Sequence, residues 1–415
     1  MSLLSAFFAF LPFLPALNPA PGIDLASARV LIVFGGAVVV CLAAVRGRIR
    51  LSAPLPILLL HVFAAVLLLS LLWSSDTAST FRKGIFFLSL IPAAWMMVAA
   101  STQQRTAVLE AFVSGAAWAA LLALAVQGVM LLMPDAGVAP FAPVLSWRVG
   151  AGAAEAVQQF PSWFVNIAGT TVPRATFPFP NPHTAVLYWA MALPYAMLSR
   201  RLPIRRAALL FAILTSFTRS GYALLLLEAP LIAVMLLRAR KTHSPATVTF
   251  PKLWATGAVG GAALLLLPLF ITRFLGSFDF AEGSLTGRLA LWSDTLRIAV
   301  AAPLLGIGFG GLAVALAPLA GYRTPTNAHS SYLELLSETG VVGLLLFCTI
   351  LISGVLLAGR QWQRGSHIHG AIAIALLAFG FHGAFETNLF GVETMAIFIS
   401  LVALAGLTLT PKTWK

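Results

Sequence analysis

Charged side chains are scarce in this chain of 415 residues, since Asp, Glu, Lys and Arg make up 9% of it and apolar residues make up 60%. A soluble fold cannot hide that much apolar surface from water, so the composition excludes a soluble enzyme or binding module. Repeated apolar runs approach the length that crosses a hydrocarbon core of about 30 Å. The sequence therefore predicts a polytopic membrane protein.

Cysteine is nearly absent as well, with two residues in the whole chain, and both lie inside apolar runs. Neither a disulfide framework nor a zinc-binding spacing is therefore available. Asp24 has no second acidic residue nearby, and no D-x-D motif is present. No metal site and no cofactor are expected.

About twelve apolar runs can be interpreted as membrane spans. No strand pattern accompanies them, so we predict an all-α fold in which residues 1–415 form a single transmembrane domain. The runs lie at roughly 3–17, 25–45, 54–73, 85–100, 107–133, 184–198, 207–217, 222–237, 253–270, 341–357, 371–385 and 395–409.

Basic residues are concentrated in one set of alternate loops. About sixteen Lys and Arg residues and no acidic residue lie in these short loops, whereas the opposite loops hold about ten basic and eleven acidic residues. This distribution is typical of the cytoplasmic side and predicts that both termini are cytoplasmic. The net charge of +13 suits anionic membrane lipids. It does not indicate nucleic-acid binding, because the basic residues are scattered rather than gathered on one face.

Two loops on the opposite, outward side are long, at residues 134–183 and 271–340. Connections of this size are uncommon in a compact protein unless they have a function. The second loop contains helical patterns at Leu285–Val300 and Ala328–Leu336. We expect it to fold against the membrane surface and to carry a site.

The sharpest local pattern lies at residues 325–340. Asn327 is a good N-cap, which would place His329 in the first helical turn with Tyr332 and Leu336 on its face. The positive end of the helix dipole disfavours an imidazolium there, and a neutral ring suits a general base. A histidine held structurally at a helix end is the alternative.

Three arginines lie on the outward side near predicted spans: Arg174, Arg219 and Arg288. An arginine beside apolar surface usually snorkels to water or pairs with an anion. Taken singly, each is better explained by a salt bridge. Together they could bind a diphosphate, because guanidinium binds phosphate oxygens through two parallel hydrogen bonds.

Other polar features are assigned no site role at this point. Gly306–Gly311 matches G-x-G-x-x-G, but no strand precedes it, so we interpret it as a flexible break rather than a nucleotide-binding loop. His183 is the nearest competitor of His329 as a base, but it begins a span and is interpreted as an interface anchor. Four polar residues around the last outward turn are interpreted mainly as a cap on helix ends: His382, Glu386, Asn388 and Glu393.

The His329 segment, in the form H-S-x-Y-L-x-x-L-x-x-x-G, resembles the signature of the bacterial O-antigen ligase and polymerase superfamily. A chain of this length without an added periplasmic domain is most similar to the O-antigen ligases of the WaaL type. Three further stretches are similar to the pattern of the same superfamily: Arg174 with Pro180-Asn181, the turn Thr218-Arg219-Ser220, and Arg288 with Trp292.

The resemblance implies an inverting, metal-independent glycosyltransferase with a GT-C-like helical fold and a large helical periplasmic loop. Such an enzyme transfers a glycan from undecaprenyl diphosphate to lipid A–core at the periplasmic face of the bacterial inner membrane. It implies that His329, Arg288 and Arg219 are catalytic. The residues expected to bind substrate are Arg174, Asn181, Trp292, Tyr332 and Glu338.

Several alternatives remain open. O-antigen polymerases and ligases that glycosylate proteins share the histidine loop. A transporter of lipid-linked glycans, or a proton-coupled one, is the alternative from another class. It would need charged residues along a path through the membrane, and the predicted spans contain few besides Glu110 and Glu228.

Overall fold

The computed structural model describes residues 2–20, 23–45, 55–134, 139–141, 143, 163–167, 169–198, 203–241, 284–319 and 327–409. Helices dominate these ranges. They are α1 (Leu3–Phe10), α2 (Ser27–Val45), α3 (Leu55–Leu69), α4 (Thr77–Leu90), α5 (Pro92–Ala99), α6 (Thr102–Leu132), α7 (Pro182–Leu198), α8 (Pro203–Thr215), α9 (Arg219–Lys241), α10 (Ser284–Ala301), α11 (Leu312–Leu316), α12 (Ser331–Gln363), α13 (His367–Gly383) and α14 (Val392–Leu404). Short 3-10 turns extend α1 over Leu11–Phe13 and α3 over Ser70–Leu72, and a third lies at Ala139–Phe141.

Many of these helices are apolar enough for a membrane. Within the described ranges, five segments are long enough to span it: Leu55–Leu72, Thr77–Ala99, Thr102–Leu132, Arg219–Ala239 and Ser331–Gln363. Shorter apolar helices occur at Leu3–Phe13, Ser27–Leu42, His367–Gly383 and Val392–Leu404. The predicted all-α polytopic membrane fold is confirmed. The run predicted at 253–270 lies outside the described residues.

Two short antiparallel hairpins depart from the all-helical expectation. β1 (Ala16–Ala20) pairs with β2 (Ile23–Ala26), and β3 (Phe164–Ile167) pairs with β4 (Thr170–Pro173). Strands of four or five residues between loops carry too few alternating positions to be recognised in a sequence. The second hairpin lies at one end of the helical bundle, where Gln127 Nε2 of α6 donates to Pro173 O at 2.9 Å and to Thr215 O at 3.0 Å.

The glycine-rich segment after α10 packs against a break in α12. Gly340 has φ 65° inside α12, and a Cβ there would overlap the carbonyl of Leu304. Gly306 and Gly308 also have positive φ, and Gly308 N donates to Glu338 O at 2.9 Å. The segment is therefore a tightly packed loop that only glycine can form at these positions. The predicted break in the apolar stretch is present between α10 and α11, and it is closely packed instead of open.

The core is centred on α7, α13 and α14, which are buried on most of their faces. α7 packs against α6, α8, α9 and α13, and α12 packs against α13. At one end of this bundle lie the first residues of α7, α9, α12 and α14 and the last residues of α8 and α13. The candidate site lies at that end.

Candidate functional site

The centre of the site is the carboxylate of Glu386, in the turn between α13 and α14. Arg288 Nη2 lies 2.7 Å from Glu386 Oε1, and His183 Nδ1 lies 3.3 Å from the same oxygen. His329 Nδ1 lies 3.2 Å from Glu386 Oε2. Three residues that are far apart in the chain therefore meet on one buried acid.

Glu386 is ionised at neutral pH. Burial opposes its ionisation, but the neighbouring His183, His329 and Arg288 outweigh that effect and hold the pKa of this carboxyl below its usual range. Since the folded-state pKa is lowered, the contribution of this group to stability is present at neutral pH. That contribution is lost only as the pH falls through the folded-state pKa.

The local structure around His329 differs from the prediction. Ser330, not Asn327, is the N-cap of α12, and its Oγ accepts a hydrogen bond from Leu333 N at 3.4 Å. His329 precedes the helix in the left-handed region with φ 46°, and its N donates to Asn327 Oδ1 at 3.0 Å. The placement in the first turn, with Tyr332 and Leu336 on the same face, is wrong. Asn and Ser are comparable N-caps, so local preference could not choose between them.

The helix α10 contacts both the segment that carries Glu386 and the segment that carries His329. Arg288 Nη1 donates to Phe385 O at 2.9 Å, beside Glu386. One turn further along the helix, Trp292 Nε1 donates to Ala328 O at 2.9 Å, beside His329. Arg288 thus has an acidic partner, which agrees with the salt bridge that the sequence favours for each arginine taken singly. Trp292 is a support for the backbone that carries His329.

The segments that carry Arg174 and Arg219 also reach this end of the bundle. Arg174 is buried, and its Nε donates to Ser216 O at 2.7 Å. Arg219 begins α9 next to Ser220, whose Oγ lies 3.1 Å from His183 Nδ1. The four family-like stretches therefore converge around His183 and Glu386.

A small polar cavity of about 80 Å³ adjoins Glu386. Among the predicted site residues, Asn181 and His329 line it. Asn181 Oδ1 also accepts a hydrogen bond from His183 N at 2.7 Å at the start of α7. Other residues of its lining are His183, Thr184, His382, Glu386, Thr387 and Asn388.

Sequence reasoning missed several of these lining residues. His183 is part of the site rather than a mere interface anchor, and Glu386 is its centre rather than a helix cap. His382 is buried, and its Nδ1 lies 2.7 Å from Asn388 Oδ1. The available signal was the close spacing of His382, Glu386 and Asn388 within one turn between two apolar runs. Glu393 lies in the first turn of α14, outside the cavity lining.

Two further predicted residues pack within the bundle instead of lining the cavity. Tyr332 donates through its hydroxyl to Gly380 O at 2.7 Å and so joins α12 to α13. Glu338 is fully buried, and its Oε1 accepts a hydrogen bond from Leu312 N at 3.2 Å. Their positions favour structural roles over direct contact with substrate.

The described part of the chain holds no group of three or more His, Cys, Asp and Glu residues arranged to bind a metal ion. Three histidines approach the site, but the Nδ1 atoms of His183 and His329 are both directed at Glu386. The chemistry that this arrangement supports is acid–base chemistry beside a guanidinium.

Comparison with known proteins adds a family match to this geometry. Residues 207–348 match the family model of O-antigen ligase (Wzy_C), and the matched range includes Arg219, Arg288 and His329. The chain is also similar to the exopolysaccharide production protein ExoQ of Rhizobium meliloti (strain 1021). The two are 28% identical over 110 residues, which is 24% of this chain and 25% of that protein. The match thus spans about a quarter of the length of that relative.

Proposed function

We propose that this chain, which matches the O-antigen ligase family model over residues 207–348 and is similar to ExoQ, is an O-antigen ligase of the O-antigen ligase/polymerase superfamily. In this proposal it transfers a glycan from undecaprenyl diphosphate to lipid A–core. The observation that carries the proposal is the pairing of His329 with the buried Glu386, beside Arg288. A base and a fixed cation side by side are what an inverting transfer from a diphosphate requires.

The ionised Glu386 determines which nitrogen of His329 acts. A carboxylate only accepts hydrogen bonds, so Nδ1 of His329 carries the hydrogen and donates it to Glu386 Oε2. The neutral ring then presents a lone pair at Nε2. This lone pair takes the proton of the acceptor hydroxyl, and Glu386 stabilises the imidazolium that forms.

The transfer itself is a single displacement with inversion. The acceptor oxygen forms a bond to the anomeric carbon, the bond from that carbon to the diphosphate oxygen breaks, and undecaprenyl diphosphate leaves with the electron pair. Because the donor is already activated, the reaction needs no nucleotide.

His183 is the competing base, since it also contacts Glu386. Its side chain is 26% exposed and that of His329 is 43% exposed. His183 Nδ1 lies within hydrogen-bonding distance of both Ser220 Oγ and Glu386 Oε1. The greater exposure of His329 favours it as the base and His183 as a support of the carboxylate.

Arginines stabilise the diphosphate leaving group in this proposal. Arg288 uses two of its nitrogens for Phe385 O and Glu386, and a guanidinium has five N–H donors, so further donors remain for a phosphate. Its side chain is 30% exposed, which permits such contact. Arg219 is the second ligand proposed and Arg174 the third.

We place the site on the periplasmic side of the bacterial inner membrane, with both termini in the cytoplasm. The distribution of basic residues between alternate loops supports this orientation. The structure is consistent with it, because His183, Arg288, His329 and Glu386, all in predicted outward segments, meet at one end of the bundle.

A transfer assay with purified components tests the proposal. The full chain, an undecaprenyl-diphosphate glycan and lipid A–core should yield glycosylated lipid A–core with inverted anomeric configuration. Growth of the lipid-linked glycan instead would show a polymerase. Transfer to a protein acceptor would show an O-oligosaccharyltransferase. Movement of the donor across a vesicle without any transfer would show a transporter.

Chelation should leave this transfer unchanged, because arginines are proposed to provide the positive charge that Mg²⁺ supplies in other enzymes. The same assay is run with excess EDTA and with added Mg²⁺ or Mn²⁺. A loss of transfer that either ion restores would contradict the arginine assignment and direct attention to Asp24.

A further inference from the structure

A second buried charge cluster lies next to the site and has no role in the mechanism above. Lys83 Nζ of α4 lies 3.6 Å from Glu334 Oε1 and 3.5 Å from Glu338 Oε1, both on α12. The side chains of these two acids are 1% and 0% exposed. The ammonium also lies 4.1 Å from the centre of the Phe390 ring, in the segment before α14. The cluster therefore ties α4, α12 and that segment together.

The other oxygen of Glu334 is directed at the two segments that carry the proposed base and its carboxylate partner. Glu334 Oε2 accepts a hydrogen bond from Thr387 Oγ1 at 2.8 Å and from Ala328 N at 3.4 Å. Thr387 follows Glu386 in the chain, and Ala328 precedes His329. One buried carboxylate thus contacts the chain on both sides of the pair His329 and Glu386, through the backbone of Ala328 and the hydroxyl of Thr387.

That contact depends on such support. His329 has φ 46°, a conformation that a residue with a side chain keeps only when its surroundings hold it. Glu386 lies in a turn rather than in a helix, and its backbone O accepts a hydrogen bond from Ser331 Oγ at 3.1 Å. Two groups on turns hold a productive geometry only when neighbouring hydrogen bonds restrain them.

Lys83 makes the arrangement of Glu334 possible. A carboxylate that is 1% exposed is costly to bury unless a cation and hydrogen-bond donors compensate for lost hydration. Lys83 pairs with Oε1 of Glu334, so Oε2 of the same carboxylate is free to accept hydrogen bonds from Thr387 and Ala328.

We propose that Glu334, anchored by Lys83, is a positioning residue that sets the geometry between His329 and Glu386 through Thr387 and Ala328. This inference rests on the proposed function, in which His329 is the base.

Two variants test it in the full-length chain. Thr387→Val removes one hydroxyl at nearly constant volume, and Glu334→Gln removes the charge and keeps the shape. Both should lower kcat about 10-fold or more with the KM for the lipid-linked donor nearly unchanged, because misplacement of a reacting group by about 1 Å can cost 10²-fold. Thr387→Ser keeps the hydroxyl and should restore most of the activity.

Matched controls come from α6. Thr106→Val removes a buried hydroxyl that donates to Thr102 O within its own helix, and Glu110→Gln removes a carboxylate elsewhere in the bundle. Both should transfer glycan at the rate of the unmodified chain.

A second readout separates positioning from a general loss of structure. The rate at which diethyl pyrocarbonate modifies His329, measured by mass spectrometry, should rise in Thr387→Val and Glu334→Gln and stay constant in both controls. Thr387→Val should also cause no further loss of transfer when added to His329→Gln, since it acts through that ring.

The outcomes distinguish this inference from the proposed function. If Thr387→Val and Glu334→Gln kept full transfer and an unchanged His329 modification rate while His329→Ala was inactive, the positioning role would be wrong and the function would stand. If the unmodified chain transferred glycan to no acceptor, the proposed function would be wrong. The modification rates would then still decide whether Glu334 restrains His329.

Discussion

Replacing His329 with alanine should reduce glycan transfer by about 10²–10⁴-fold, the usual cost of a lost general base. The chain should still insert and fold, because the His329 side chain is 43% exposed and contributes little to the packing of the core. Initial rates with saturating donor and acceptor give the measurement. Circular dichroism and thermal unfolding in detergent show whether the variant remains folded.

His329→Gln separates a base from a group that only positions the substrate. Glutamine can still hydrogen-bond to Glu386, but it cannot take a proton at neutral pH. Near-normal transfer by this variant would contradict the base assignment and leave His329 as a substrate orienter. His183→Gln is the comparison at the neighbouring ring, and we expect it to retain more activity than His329→Gln because the proposal gives His183 no proton to transfer.

Arg288→Ala should lower the rate by the equivalent of about 3–4 kcal/mol of transition-state stabilisation, by analogy with the loss of one oxyanion donor. Arg288→Lys should retain part of the activity, because lysine keeps the charge and loses the planar pair of donors. Initial rates and donor KM are measured for both variants in the transfer assay.

The contact between Arg288 and Glu386 at 2.7 Å makes a control for structural effects necessary. Arg288 is partly exposed, but Glu386 is buried, so removing the arginine leaves a buried carboxylate with less compensation and costs stability by itself. The double variant Arg288→Ala with Glu386→Gln separates the two roles. If Arg288 binds the diphosphate, the double variant should be much slower than Glu386→Gln alone. Equal rates would instead identify Arg288 as only a partner of that acid.

Long apolar and amphipathic segments were predicted well from the sequence. The pattern at Leu285–Val300 corresponds to α10 (Ser284–Ala301), and the run at 107–133 corresponds to α6 (Thr102–Leu132). Many residues of one type contribute to such a pattern, so one unusual position does not hide it. The predicted start of α12 was wrong by a few residues, because Asn327 and Ser330 are both good N-caps and local preference does not choose between them.

The candidate site was predicted in part. His329 and Arg288 were recognised because each lies in a short stretch with a distinctive local pattern. Glu386 was missed as their partner, since it is 57 residues from His329 and 98 residues from Arg288 in the chain. A single acid between two apolar runs carries no local sign of what approaches it in space.

The sequence by itself determined that the chain is a helical membrane protein, and it predicts that the candidate site lies in outward segments. Hydrophobicity and charge act residue by residue along the chain, so their distribution can be read without coordinates. Only the tertiary structure decided that Glu386 contacts His183, Arg288 and His329. The same is true of the hydrogen bonds that Glu334 accepts from Thr387 and Ala328. Such contacts arise from the packing of α4, α7, α10, α12 and α13, and the energy of a buried charge depends on which partners that packing brings within about 3 Å.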